Sequence, residues 1–284
     1  MDNTYDTAQR KSFSWSGLVL NALLVLGVLV SIFPFYWLIV MATRTNEDIF
    51  AYPPKLLPGP HLLDNVQRML DSINFWGSFA NTAIVASFSA VLTMFLASLS
   101  GFTFAKFRFP GRNLLFILIL ATMMVPSQLS TVPSFVIMAN IGWVGTLQAL
   151  IVPGLAGAFG IFWMRQYATA AIPNDLIDAG RLDGCNHFQL YTNVALPLLR
   201  PALAFLGIFT FINSWNDYLW PLVVLINPDR ITLQVALSQL QGLYQTDYAL
   251  VMAGTLMATI PLIVIFILGS KHFIGNIAAG AVKS

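Results

Sequence analysis

The sequence predicts an all-α membrane protein: one domain, residues 1–284, built on six transmembrane helices. Three observations carry this. Apolar residues make up 57% of the chain and charged residues only 9%, where a soluble domain of this size carries about 25% charged residues. The missing polar surface implies lipid as solvent. Six stretches approach the roughly 20 mostly apolar residues that a helix needs to cross the hydrocarbon core. Finally, the basic residues fall unevenly between the alternate connections of those stretches, as they do in membrane proteins.

The spans are expected near 16–42, 79–104, 113–133, 147–167, 201–224 and 250–270. The first runs through Leu18, Leu20, Leu23 to Leu26 and Val28 to Val30 without a charge. The third holds Leu114 to Val125, and the last Met257 to Leu268. Pro34, Pro126, Pro153, Pro221 and Pro261 lie inside spans, which membrane helices tolerate when neighbours satisfy the freed carbonyls. The first 14 residues are polar and the next apolar stretch is long enough to span, so a retained helix is expected and not a cleaved signal peptide. Between the first two spans, Pro53-Pro54 and Pro58-Gly59-Pro60 predict an irregular stretch leading to a short helix around Val66–Leu70 that lies on the membrane. The uncharged loop 134–146 predicts a hairpin on the same outer side.

With both termini inside, Arg10, Lys11, Lys106, Arg108, Arg112, Arg165, Arg181, Arg200, Lys271 and Lys283 are cytoplasmic. Only Arg44, Lys55, Arg68 and Arg230 are outside, so ten against four favours this orientation. Lys106, Arg108 and Arg112 crowd onto one short turn and are its strongest element.

Several function classes are excluded or disfavoured. A net charge of +2 gives no basis for nucleic-acid binding. A single cysteine, Cys185, allows no internal disulfide or thiolate cluster, and His61, His187 and His272 have no metal-ligand spacing. Met123, Met124 and Met138 read as packing. An intramembrane enzyme would need a convergent nucleophile, base or metal group, and none is visible. An ion-coupled secondary transporter would show repeats and discontinuous helices, which the sequence does not reveal. No Gly-x-x-x-x-Gly-Lys-Ser/Thr motif occurs, so this chain does not bind ATP by that route.

The most specific signal lies inside, over about 173–200. Asn174 is placed to cap a helix with Asp175 and Asp178 in its first turns, where the dipole favours negative charge. Ala179 and Gly180 give it a patch of small residues. Gly184 ends it in a left-handed conformation, and Asn186 caps a second helix with Phe188, Tyr191 and Ala195 on one face. Pro197 and Pro201 mark the return into the bilayer. The expectation is a helix–turn–helix with a surface for a partner; from spacing alone it could equally be an amphipathic tie between two spans.

Asp178-Ala179-Gly180-x-x-Asp183-Gly184-Cys185, followed by Phe188, Pro197 and Pro201, resembles the Glu-Ala-Ala loop of importer-type ABC permeases. The departures are Asp for Glu at 178, Gly for Ala at 180 and Cys for Ala at 185. The resemblance implies the importer-type permease fold. It also implies that Asp178, Ala179, Gly180, Asp183, Gly184 and Phe188 form the coupling helix–turn–helix seated in a groove of an ATPase subunit. Ser214-Trp215-Asn216-Asp217-Tyr218-Leu219-Trp220-Pro221-Leu222 resembles the fifth span of the carbohydrate-uptake, maltose-type permeases. The ending through Gly280, Ala281, Val282 and Lys283 resembles the tail of their shorter six-span subunit, which contacts the ATPase dimer.

A sugar-import subunit of a bacterial cytoplasmic membrane follows as the expectation, with a di- or oligosaccharide as cargo. The resemblance implies a second permease as heterodimer partner, two ATPase subunits carrying ATP and Mg, and an extracytoplasmic sugar-binding protein; this chain would bind no cofactor of its own. A permease for amino acids or peptides is the alternative, against which the fifth-span and tail motifs argue. Asp217 is the one acidic residue inside an expected span, and Asn213, Asn216 and Asp217 share a helix face if that span is continuous. With Trp215, Tyr218 and Trp220 nearby, this face suits sugar hydroxyls and C–H surfaces. The other role open to it is bracing the bundle.

Overall fold

The computed structural model describes residues 15–242 and 246–281, with side chains for 17–242 and 246–269. Among them every regular element is helical. The main ones are α1 (Trp15–Ala42), α2 (Leu62–Ser72), α3 (Phe75–Lys106), α4 (Arg112–Thr122) and α5 (Thr131–Asn140). They continue with α6 (Ala158–Ala171), α7 (Asn174–Leu182), α8 (His187–Trp215), α9 (Leu219–Val224), α10 (Leu233–Ser238) and α11 (Tyr248–Ala281).

Among the described residues, four helices are long and apolar enough to cross a membrane: Gly17–Ala42, Phe75–Lys106, His187–Trp215 and Tyr248–Gly269. Two further stretches are bent pairs, Arg112–Thr122 with Ser127–Asn140 at 94° and Gln148–Gly154 with Ala158–Ala171 at 43°; counting each as one crossing gives six. The stretches expected as continuous helices at 113–133 and 147–167 are thus interrupted. Pro126 sits extended at the first break, and Pro153 lies in a 3₁₀ turn at the second. Gly154 and Gly157 beside Pro153 weaken helix persistence further. Pro34, Pro201 and Pro261, without such neighbours, stay inside helices. The outer loop expected at 134–146 is also different, because α5 occupies most of it.

α3 is the axis of the bundle, packed along α6 and α8. Its buried face carries Thr82, Ala86, Ser89, Ala90, Thr93, Ala97 and Gly101, recurring every three or four residues. Small residues let membrane helices approach closely, where dispersion rather than water drives packing. At Gly101 the approach is backbone to backbone: a Cβ there would stand 2.6 Å from Met164 Cβ and 2.7 Å from the Arg165 nitrogen. Apolar clusters close both ends of α3, one around Phe102, Met164, Leu190 and Leu199, the other around Phe75, Met69, Trp215 and Leu233. α1 packs on α11 and leaves Leu18 to Phe35 largely exposed, a surface that lipid covers.

The segment 43–78 is more integrated than a helix resting on the membrane. Asn65 Nδ2 donates to the carbonyls of Ala42 (2.9 Å) and Arg44 (2.8 Å), satisfying the end of α1. Met69 is fully buried, in the cluster that also holds Leu250 and Ala258 of α11.

Candidate functional site

Two places carry chemistry, a protruding tip and a polar cavity, and α8 joins them. The tip begins at Pro173, whose extended backbone starts α7 without a side-chain cap. Asn174, expected as the cap, is instead the first helical residue, and its Oδ1 accepts from Lys106 Nζ at 3.1 Å. Ile177 and Gly180 form the inward face of α7. A Cβ at Gly180 would lie 2.6 Å from Leu190 Cδ2, so glycine lets the two arms of the tip touch. The small-residue patch is therefore split: Gly180 faces inward, whereas Ala179 faces out.

The turn is fixed at both ends. Gly184 takes φ +81°. Its N–H donates to Arg181 O (3.1 Å) and that of Cys185 to Gly180 O (2.9 Å), the paired 5→2 and 6→1 bonds of a Schellman motif. Asn186 and Gln189 then form a reciprocal capping box, each side chain accepting the other's backbone N–H at 2.9 and 2.8 Å. Leu190–Ala195 is π-helical, and the wider turn shifts the helical register. Tyr191 and Ala195 are buried while Phe188 stays 62% exposed, but the Phe188 and Tyr191 rings lie 6.3 Å apart and line one hollow, so those two share a side as expected. Tyr191 Oη and Ser98 Oγ hydrogen-bond at 2.7 Å, anchoring the tip to α3. The helix expected as a separate second arm is the start of α8, which runs unbroken through Pro197 and Pro201.

Outward, the tip presents Leu182 (90% exposed), Phe188 (62%) and Leu176 (44%), flanked by Asp175, Asp178 and Asp183. Asp178 is held by Arg181 of its own helix at 3.1 Å. Leu182 and Leu176 were not singled out from sequence. Five residues separate Leu182 from Ile177, about 140° around the helix, so the pattern already placed it on the opposite face.

The cavity, of about 330 Å³, lies between α3 and α8 and is lined by Ser89, Thr93, Thr210, Asn213, Ser214 and Asp217, with Leu150 and Gly154. Ser89 and Thr93 stand near the middle of α3, so the cavity sits at mid-length of that helix. Sequence reasoning missed the four hydroxyl residues; their i, i+4 spacing along apolar helices was the available signal.

The three residues expected on one face, Asn213, Asn216 and Asp217, are separated, because the helix ends at Trp215 and restarts at Leu219. Asn213 and Asp217 line the cavity. Asn216 turns back, Nδ2 donating to Ile212 O at 2.9 Å, and braces the helix end. Trp215 is 1% exposed, stacks on Phe211, meets Phe79 edge-on and donates Nε1–H to Ala258 O at 3.2 Å. It ties α8 to α11 and offers no surface to a ligand. Trp220 likewise donates to Ala149 O at 2.9 Å. The Asp217 carboxylate lies near the backbone N–H groups of Tyr218 and Trp220 at the start of α9 and lines the cavity. Irregular backbone at membrane depth persists only where protein buries it or a wet cavity solvates it, and here Asp217 of the break lines the cavity. The helical backbone reaches Gly280 and Ala281, but their side chains, and Val282 and Lys283 entirely, lie outside the described residues.

Comparison with known proteins fits this geometry. The profile of the binding-protein-dependent transport system inner membrane component family matches residues 93–271, which span the cavity, the tip and the helix between them. The chain belongs to that family. It is 32% identical to an arabinooligosaccharide transport system permease of Halalkalibacterium halodurans over 93% of this chain and 97% of that protein. It is 34% identical to a lactose transport system permease of Rhizobium radiobacter, covering 94% and 96%. An sn-glycerol-3-phosphate transport system permease of Escherichia coli is 31% identical over 92% and 95%. In structure it is similar to a chain of a bacterial ABC transporter involved in import of the acidic polysaccharide alginate, with a TM-score of 0.80, 26% identity, and coverage of 92% and 99%. The permease is thus a multi-pass inner-membrane transport subunit with the importer-type ABC fold.

Proposed function

We propose that this permease conducts a di- or oligosaccharide through the cavity of Asn213 and Asp217, driven by a partner ATPase that seats on the Asp178–Phe188 tip. One observation carries this: α8 is one continuous helix that begins in the tip at His187 and ends beside the cavity. From His187 to Asn213 it spans about 39 Å, more than the ~30 Å hydrocarbon core. A displacement of the tip is delivered along this helix toward Asn213 and Ser214.

In this scheme an extracytoplasmic sugar-binding protein delivers cargo to a heterodimer of this chain and a second permease. Two ATPase subunits holding ATP and Mg close and move both tips, and the tail from Gly280 to Lys283 reaches the ATPase dimer. Both termini and the tip are cytoplasmic. The carbohydrate relatives support the cargo class, and hydroxyls, amide and carboxylate in the cavity suit sugar hydroxyls.

The test is reconstitution with the ATPase, second permease and binding protein, measuring uptake of labelled disaccharides, oligosaccharides, amino acids and peptides. Sugar uptake dependent on ATP is expected; uptake of amino acids or peptides alone would overturn the cargo assignment. A reporter fused within 108–112 should be active only in the cytoplasm, and one within 226–242 only outside.

A further inference from the structure

A second cavity lies on the flank of the tip, with Asp178, Arg181 and His187 of the tip in one wall. It encloses about 700 Å³ between the α3–α4 turn and α7, and four cations line it: Lys106, Arg108, Arg112 and Arg181. The carboxylate facing it, Asp178, is committed to Arg181. Lys106 is bonded to the neutral Asn174 side chain, and Arg112 to the Phe107 carbonyl at 3.3 Å. Among the described residues, Lys106, Arg108 and Arg112 are in no ion pair. The remaining titratable wall, His187, packs edge-on to Phe107 at 4.9 Å between centroids. The groove thus gathers an excess of three positive charges at the end of a helix bundle.

What adjoins it selects the occupant. Arg108 and Arg112 also line a neighbouring hollow of about 310 Å³ that reaches Leu114. From there α4 exposes Leu114 (63%), Ile117 (60%) and Leu118 (53%). A basic groove opening onto an apolar helix face matches an amphiphile with an anionic head and hydrocarbon tails. A free anion would use only the first part, and an acidic protein segment would leave the apolar strip uncovered. We infer that this groove binds the phosphate headgroup of an anionic phospholipid of the cytoplasmic leaflet, its acyl chains lying along α4. One wall is α7, so the bound phosphate links the α3–α4 turn to the tip. The assignment of leaflet rests on the cytoplasmic placement proposed above; the binding itself does not.

The experiment uses the complete transporter in vesicles of phosphatidylcholine with or without phosphatidylglycerol of the same acyl chains. Native mass spectrometry then reads the lipids retained after detergent extraction. Wild type should retain phosphatidylglycerol in preference to phosphatidylcholine. Charge near a membrane surface contributes about 1 kcal/mol per Lys or Arg, so Arg108→Gln with Arg112→Gln should weaken that retention about 30-fold. If the double variant fails to insert, the wild-type preference alone decides: equal retention of the two lipids overturns the site. Displacement of the lipid by millimolar inorganic phosphate would make it a small-anion site and refute the lipid. Loss of the ATPase from the double variant with lipid retention unchanged would make it a protein-docking face and refute the lipid equally. Failure of sugar uptake would leave the retention result standing, and reporter fusions placing the groove outside would overturn only the leaflet.

Discussion

Gly184→Val isolates the coupling turn. A Cβ at Gly184 has nothing within 4 Å, so the change introduces no clash and its whole effect is conformational. At φ +81° a non-glycine residue costs about 1–2 kcal/mol, and a β-branched one stands at the unfavourable end. If the chain escapes to negative φ, the two Schellman bonds at Arg181 and Gly180 are lost, at about 0.5–1.5 kcal/mol each. Either route costs roughly 2 kcal/mol locally, a shift of about 30-fold in the population holding the native turn. The inner wall of the tip, anchored by Leu190 and Tyr191, remains, so insertion and assembly with the second permease should persist. Asn tolerates the left-handed region and serves as the control. Co-purification of the ATPase and cargo-stimulated hydrolysis in vesicles should fall in the order wild type, Gly184→Asn, Gly184→Val. Equal association and equal stimulated activity in all three would refute the claim that this turn transmits force.

Leu182→Asp adds a charge to a side chain that is 90% exposed. Its effect on Tm should be that of a surface change, about 0.5 kcal/mol or less, while ATPase association drops; retained association would move the contact elsewhere on the tip. Asp217→Asn preserves shape but removes the charge from the cavity, and should lower uptake at unchanged complex yield. Uptake kinetics equal to wild type would leave Asp217 only its role of starting α9. Gly101→Ala gains up to about 1 kcal/mol in helix propensity but drives a methyl into the α6 backbone, an overpacking cost of about 1–3 kcal/mol. Overpacking wins, so the thermal midpoint in detergent should fall; a rise would show that α3 and α6 can separate freely.

The helical crossings were legible because lipid imposes one rule, an apolar run of fixed length, that needs no tertiary information. The tip was legible for a related reason. Schellman turns and capping boxes are local, so Gly184 and Asn186 announce them within a few residues. Inward and outward assignment was legible only in part. Asn174 reads as a cap by residue type, but Lys106, 68 positions away in sequence, claims its side chain. The π-helical turns after Gln189 carry no local signal, and burial differs between Phe188 and Tyr191 although their rings stay 6.3 Å apart.

The break at 216–218 shows most clearly where local reading fails. Apolar residues continue on both sides, and no glycine marks the site. Asn216 and Asp217 were both read as a polar stripe on a continuous helix, yet each is also a residue that ends or begins one. Asn216 bonds back to Ile212, and Asp217 lies near the backbone N–H groups of Tyr218 and Trp220 ahead of α9. Between them they convert a polar stripe into a stop and a start. Trp215 must be locked against α11 for that exchange to occur beside a cavity instead of in lipid. The same constraint explains why Trp215 is buried while Asp217 is not. The ring fixes the end of α8 against α11, and the carboxylate two residues on lines the cavity.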